Sequence, residues 1–127
     1  MREEILVDKK PAKSRLILKK GLKNMLVRTE DLALFYTESK IVFAIDKDNN
    51  KYICDQNLSE LEELLDDSIF FRANRQSLIN IDFIKAFQPF QRVKLQVDVS
   101  IAESNYSIII SQVTVGEFKY WLNSIAS

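Results

Sequence analysis

Short apolar runs alternate with polar breaks along most of the chain. Runs of roughly four to six residues rich in valine, isoleucine and aromatic side chains are typical of β-strands. The polar segment 37–40 predicts a loop, whereas residues 48–50 and the glycine at position 21 predict turns, because asparagine, aspartate and glycine tolerate a left-handed backbone. The strands predicted in this way are 14–19, 25–29, 32–36, 41–45, 51–54, 69–73, 85–88, 93–97 and 106–110. The pattern therefore predicts a mainly β domain.

Two segments show helical periodicity instead. The first, 57–65, begins at Asn57, a good N-cap residue, and Glu60 follows as its capping-box partner. Its leucines fall on one face, and a helix this short must pack on a sheet to be stable. The second, 113–124, follows Ser111 as a candidate cap.

Three further segments complete the interpretation of the chain. Residues 78–84 are predicted to form a helical turn, and the polar segment 98–105 receives no assignment. Residues 1–13 are charged, contain a proline and show no sustained period, so we predict a tail or linker there. The remaining residues, 14–127, are enough for one domain with one core.

The charges balance overall but are unevenly distributed. Eighteen lysines and arginines match eighteen aspartates and glutamates, which argues mildly against a non-specific nucleic-acid binder. However, Lys9 to Arg28 contains eight basic residues and no acid, whereas Asp55 to Asp67 contains six acids and no base. A neutral protein with this distribution can still present one positive face.

Enzymatic chemistry has little support in this composition. The chain has no histidine and one cysteine, which excludes Ser-His and Cys-His pairs, an ordinary zinc site and an intrachain disulfide. No glycine-rich phosphate loop is present. We therefore expect no enzyme, no metal and no cofactor, and we interpret Cys54 as a packed small side chain.

The N-terminus and the apolar runs bear on localisation. The opening residues lack the apolar region of a signal peptide, and no apolar run approaches the length of a membrane span. A single cysteine fits a reducing compartment. These features predict a cytoplasmic protein with no membrane partner.

The stretch 70–80, hereafter the signature stretch, begins as a strand and then turns polar. Arg75 and Gln76 lie at the polar break, and arginine and glutamine are the side chains that bind guanine and adenine edges bidentately. The alternative from the residues alone is a strand end whose polar side chains are simply solvated. The stretch reads Phe70-x-Arg72-x-Asn74-Arg75-Gln76-x-Leu78-Ile79-Asn80.

This stretch resembles the signature of the LytTR DNA-binding domain, Phe-x-Arg-x-His-Arg-Ser-x-Leu-Val-Asn. Asn74 replaces the histidine and Gln76 replaces the serine, as in one branch of the family found in bacterial response regulators. The resemblance extends from about Ser14 to Leu122. It implies small antiparallel sheets with one short packed helix and a short C-terminal helix. It also implies loops that enter successive major grooves of double-stranded DNA for transcription regulation.

The resemblance also implies candidate DNA contacts. Arg75 would contact a base edge, and Gln76 a base or a phosphate, whereas Arg72 would contact phosphate or pair with an acid. Asn74 is expected to shape the loop, and Asn80 to close a turn through backbone hydrogen bonds. The positions proposed to bind DNA are Ser39, Lys40, Arg72, Arg75, Gln76 and Gln112, the last of which replaces an arginine of many family members.

The family resemblance leads to expectations about partners. A receiver domain would precede this domain in a two-component response regulator. The isolated domain is expected to be monomeric, with a dimer on paired DNA sites, because the chain shows no heptad seam. The acidic face of helix 57–65 is expected to point away from DNA. The alternative function is a protein-interaction or ligand-sensing β module without DNA binding, which the zero net charge supports.

Overall fold

Ten β-strands form two antiparallel sheets in residues 11–126, the part of the chain that the computed structural model describes. The strands are β1 (Arg15–Lys20), β2 (Lys23–Arg28), β3 (Leu32–Glu38), β4 (Ile41–Asp46), β5 (Lys51–Cys54), β6 (Phe70–Asn74), β7 (Ser77–Asn80), β8 (Ile84–Phe90), β9 (Lys94–Ile101) and β10 (Ser104–Ile110). Seven strands make one sheet in the order β2-β1-β5-β4-β3-β7-β6, and three make the other in the order β10-β9-β8. The predicted mainly β architecture is confirmed.

Two α-helices accompany the sheets, α1 (Leu58–Leu64) and α2 (Val115–Ile125). The predicted capping box at the start of α1 is present. The Asn57 side chain accepts a hydrogen bond from the Glu60 amide at 2.8 Å, and the Glu60 carboxylate accepts one from the Asn57 amide at 2.9 Å. Of the predicted tail 1–13, residues 1–10 lie outside the described part. No helix in the described part is long and apolar enough to cross a membrane.

Two predictions of local structure are wrong, and one segment that the sequence left unassigned is now defined. The helical turn predicted for 78–84 is wrong at its start, because Ser77–Asn80 is strand β7 and only Ile81–Phe83 forms a 3₁₀ turn. The unassigned segment 98–105 belongs to the β9–β10 hairpin, in which Ile101 pairs with Ser104. Ser111 does not cap the last helix, since a 3₁₀ turn intervenes and the Ser111 hydroxyl lies 2.8 Å from that of Thr114.

The seven-stranded sheet is buried on both faces along β3. Neighbouring residues Leu34 and Phe35 belong to different hydrophobic clusters, as expected when strand side chains alternate between two faces. One cluster includes Leu61 of α1, and the other includes Phe118 of α2 and the inward side chains of the three-stranded sheet. A bulge between Leu32 and Leu34 allows both Leu32 and Phe35 to reach the α1 cluster. The sheet therefore separates two cores, so the prediction of a single core is wrong.

The turn between β4 and β5 is organised by a buried carboxylate. Asp46 is 7% exposed and accepts hydrogen bonds from the Asp48 and Asn50 amides, the Asn50 side chain and the Tyr52 hydroxyl. Burial alone would raise the pKa of Asp46, but these hydrogen bonds outweigh burial and hold the pKa below its ordinary value of 3.8. Burial and the bond to Asp46 raise the pKa of Tyr52 to about 12.

Asp46→Asn should lower the free energy of unfolding by about 1–3 kcal/mol near neutral pH, because hydrogen bonds to a buried charge contribute about that much. The folded-state pKa of Asp46 lies below the unfolded value. Its contribution is therefore complete above the unfolded pKa and is lost as the pH falls through the folded pKa. Urea unfolding at neutral pH and at about pH 3 should show the difference between parent and variant shrinking in acid.

Asp48→Asn is the control, since Asp48 lies exposed in the same turn. It should show no comparable change with pH. A deficit of Asp46→Asn that stays constant from neutral to acidic pH would contradict the role assigned to the carboxylate.

Candidate nucleic-acid interface

The signature stretch forms the hairpin of β6 and β7. Asn74 pairs with Ser77, so Arg75 and Gln76 make up the connecting turn, and both are exposed. Behind the turn, Leu78 is 1% exposed and Ile79 is 0% exposed, one in each hydrophobic cluster. Burial of the strand on both sides holds the two polar side chains of the turn at the surface.

The β3–β4 hairpin is tighter than the loop 37–40 that the sequence predicted. β3 extends to Glu38, which pairs with Ile41, so only Ser39 and Lys40 form the turn. Their φ angles are 53° and 68°. Positive φ at both central residues is typical of type I′ hairpin turns, whose twist matches that of the flanking strands. Both residues are exposed, so the hairpin presents a short polar tip.

Backbone and side-chain contacts bring the signature turn against two neighbouring elements. The Thr37 amide of β3 donates a hydrogen bond to the Gln76 carbonyl at 2.9 Å. The Asn74 side-chain amide donates one to the Ile109 carbonyl of β10 at 2.6 Å. The hairpin that carries Ser39-Lys40 and the segment that leads to Gln112 therefore both lie beside the turn.

Gln112 opens the 3₁₀ turn between β10 and α2, and its side chain is exposed. A cleft of about 570 Å³ separates this segment from the signature turn. Its lining residues are Arg72, Asn74, Arg75, Gln76, Ser111, Val113 and Thr114. The fold thus gathers the segments that contain all six predicted contact residues at one end of the molecule.

Arg72 differs from the other candidates because its guanidinium contacts protein on three sides. Nε donates to the Asn74 carbonyl at 2.8 Å, Nη2 to the Arg75 carbonyl at 2.7 Å, and Nη1 to Glu62 Oε2 at 2.6 Å. Its side chain is 27% exposed. The pairing with an acid, one of the two roles that the sequence left open, is made with Glu62.

Both asparagines of the signature stretch have the roles predicted for them. Asn74 Oδ1 accepts a hydrogen bond from the Gln76 amide at 2.8 Å, which shapes the turn. Asn80 is 0% exposed, donates to the Leu32 carbonyl at 2.8 Å, and accepts from the Asp82 amide at 2.8 Å. It thereby closes the turn after β7 and joins that turn to β3.

Glu62 is the residue that the sequence interpretation missed. It lies on the exposed acidic face of α1 and accepts a hydrogen bond from the signature arginine, Arg72, at 2.6 Å. The two residues lie ten positions apart, and their contact depends on how α1 packs beside β6. No local pattern in the sequence indicates such a pair.

The basic N-terminal stretch lies elsewhere. Its described part includes β1 and β2, at the opposite edge of the seven-stranded sheet from β6 and β7. Four strands lie between β2 and β7 along the sheet, although residues of β1, β2 and β6 (Arg15, Arg28 and Phe70) line one cleft. Within this stretch, Lys19 lies 3.6 Å from Asp55, and Lys20 donates to Asn50 at 3.0 Å. At the signature turn and the neighbouring β3–β4 tip, the exposed cations are Arg75 and Lys40 respectively.

Comparison with known proteins identifies close matches to one domain type. The family model of the LytTr DNA-binding domain matches residues 23–123. Among solved structures, the LytTr DNA-binding domain of a putative methyl-accepting/DNA response regulator from Bacillus cereus matches with a TM-score of 0.78 and 21% identity. That match covers 87% of this chain and 98% of the other. No curated protein sequence matches the chain.

Proposed function

Because this chain belongs to the LytTR DNA-binding domain family, we propose that it binds double-stranded DNA with sequence preference and thereby regulates transcription. The observation that carries the proposal is the exposed Arg75-Gln76 turn within the family match, held by hydrogen bonds to the neighbouring strands β3 and β10. A surface of this kind places side chains that can bind base edges on a rigid frame.

The side chains at this surface suit different parts of DNA. Arg75 is suited to the guanine edge through two parallel hydrogen bonds, and Gln76 to adenine or to phosphate. Lys40 is a point charge suited to phosphate, with Ser39 beside it in the same tip. Gln112 is suited to adenine, without the charge that an arginine would add there. In this proposal, base contacts give sequence preference and phosphate contacts set the register.

The proposal includes a regulatory setting. A domain of this family fits the output end of a bacterial two-component response regulator, with a receiver domain N-terminal to it and a cytoplasmic location. The solved relative belongs to a response regulator, which supports this setting. We further propose that the domain alone is monomeric and that the receiver, or paired DNA sites, supplies any dimerisation.

Arg75→Ala should relax base preference at one position of the bound sequence, at a cost of about 1–3 kcal/mol of discrimination. Lys40→Ala should weaken specific and non-specific binding together and lower the salt slope of binding by about one unit. The measurement is selection of duplexes from a random pool, followed by titration of the best duplex and a scrambled one at several salt concentrations.

Arg75 and Lys40 are both exposed, so replacing either side chain removes no buried contact. Both variants should therefore unfold at the same temperature as the parent. If both bind DNA with the parent's preference and salt dependence, the assignment of these contacts is wrong. If the parent itself selects no duplex at low salt, the protein-interaction or ligand-sensing alternative replaces DNA binding.

A further inference from the structure

The guanidinium of Arg72 binds backbone carbonyls at the signature turn. Its planar group donates to two successive carbonyls, those of Asn74 and Arg75, at 2.8 and 2.7 Å. A third hydrogen bond runs from Arg72 Nη1 to Glu62 Oε2 at 2.6 Å. A guanidinium presents its donors in a fixed fork, so three partners at these distances fix the relative positions of β6, the turn and α1.

Asn74 makes two further hydrogen bonds that support the turn. Its Oδ1 receives the Gln76 amide at 2.8 Å, while its amide group donates to the Ile109 carbonyl at 2.6 Å. The Gln76 carbonyl in turn accepts from Thr37 at 2.9 Å. The backbone of the turn is therefore tied to α1, β10 and β3, and the Arg75 and Gln76 side chains remain exposed.

We propose that Glu62, Arg72 and Asn74 are positioning residues that order the Arg75-Gln76 turn before DNA binds. In this proposal, Arg72 holds the backbone of the turn and does not contact a phosphate. Glu62 favours DNA recognition by holding Arg72, although its negative charge repels DNA. The consequence for DNA rests on the proposed function, whereas the ordering of the turn is a property of the free protein. A turn ordered in advance loses less conformational entropy on binding, so the ordering favours base discrimination.

The first test uses the free protein. In ¹⁵N relaxation measurements, the Arg75 and Gln76 amides of the parent should have order parameters of about 0.85. Arg72→Lys keeps the positive charge but lacks the planar fork, so these values should fall below about 0.6 while the rest of the sheet is unchanged. Glu62→Ala should produce a smaller fall at the same amides.

Glu63→Ala is the matched control, because Glu63 is the exposed acidic neighbour of Glu62 on the same helix. It should leave the order parameters of the turn at the parent values. Unchanged values in both Arg72→Lys and Glu62→Ala would overturn the positioning role, whatever the protein binds.

The second test uses a duplex selected by the parent and a duplex changed at the base pair that Arg75 reads. Arg72→Lys should reduce discrimination between them about tenfold, the equivalent of one charge-assisted hydrogen bond, with the salt slope unchanged. Glu62→Ala should reduce it about two- to fivefold, because exposed ion pairs contribute little. Glu63→Ala should keep the parent's discrimination and bind DNA as tightly or more tightly.

The outcomes separate the two hypotheses. If Arg72→Ala lowers the salt slope by about one unit and Arg72→Lys restores it, Arg72 is a phosphate contact and the positioning role is wrong. The positioning role is also wrong if Glu62→Ala strengthens binding with discrimination intact, as the loss of a repelling charge alone would do. If the parent selects no duplex, the proposed function fails, and the order parameters alone decide whether the three residues position the turn.

Discussion

Phe118→Ala should lower the free energy of unfolding by about 3–5 kcal/mol, the cost of removing a fully buried aromatic ring. Phe118 is 0% exposed, and its ring lies 5.5 Å from Phe71, 5.6 Å from Phe87 and 6.0 Å from Trp121, between ring centroids. These partners come from β6, β8 and α2, so the ring joins both sheets to the last helix. Urea unfolding at neutral pH measures the loss.

Tyr120→Ala is the control for this prediction. Tyr120 lies on the same helix and is 78% exposed, so its removal should change the free energy of unfolding by no more than about 0.5 kcal/mol. If Phe118→Ala lowers the free energy of unfolding by less than about 1 kcal/mol, the hydrophobic cluster that contains Phe118 contributes little to stability.

Leu61→Ala should lower the free energy of unfolding by about 2–5 kcal/mol, as a buried large-to-small change does. Leu61 is 0% exposed and packs in the cluster that includes Phe35, Phe70 and Leu78. The expected loss is large because the removed side chain leaves a cavity that the flanking β3, β6 and β7 can fill only in part. The same urea titration measures it.

Ser59→Ala is the matched change on the same helix, where Ser59 is exposed. It should leave the unfolding midpoint almost unchanged. A Leu61→Ala variant as stable as Ser59→Ala would mean that α1 does not depend on its leucine face for docking, contrary to the packing described above.

Local sequence patterns predicted the structure correctly where the residues that determine it lie within a few positions of one another. The capping box of α1 needs only Asn57 and Glu60, three residues apart, and it forms as predicted. Alternating or apolar runs identified nine of the ten strands, all except β7, because each strand must bury at least one face. The polar break at Arg75 and Gln76 likewise predicted a turn with exposed side chains, which the hairpin confirms.

Local sequence patterns failed to predict a strand that is buried on both faces, because such a strand does not alternate apolar and polar residues. Leu78 and Ile79 are consecutive and both buried, which fits a helical turn as well as it fits a strand. They form a strand because β7 lies between β3 and β6. Leu78 packs in the cluster that contains Leu61 of α1, and Ile79 packs in the cluster that contains Phe118 of α2. Only the strand order decides between the two structures.

The sequence by itself determined the mainly β character, the capped helix, the absence of histidine-dependent chemistry and the signature stretch with its family resemblance. These features depend on residue type and on spacings of a few positions. The tertiary structure alone decided that Glu62 contacts Arg72, that Asn74 contacts Ile109, and that the basic β1–β2 hairpin lies at the opposite edge of the seven-stranded sheet from β6. The physical reason is that such contacts join distant segments, and their partners are selected by strand order and helix docking, which no local spacing encodes.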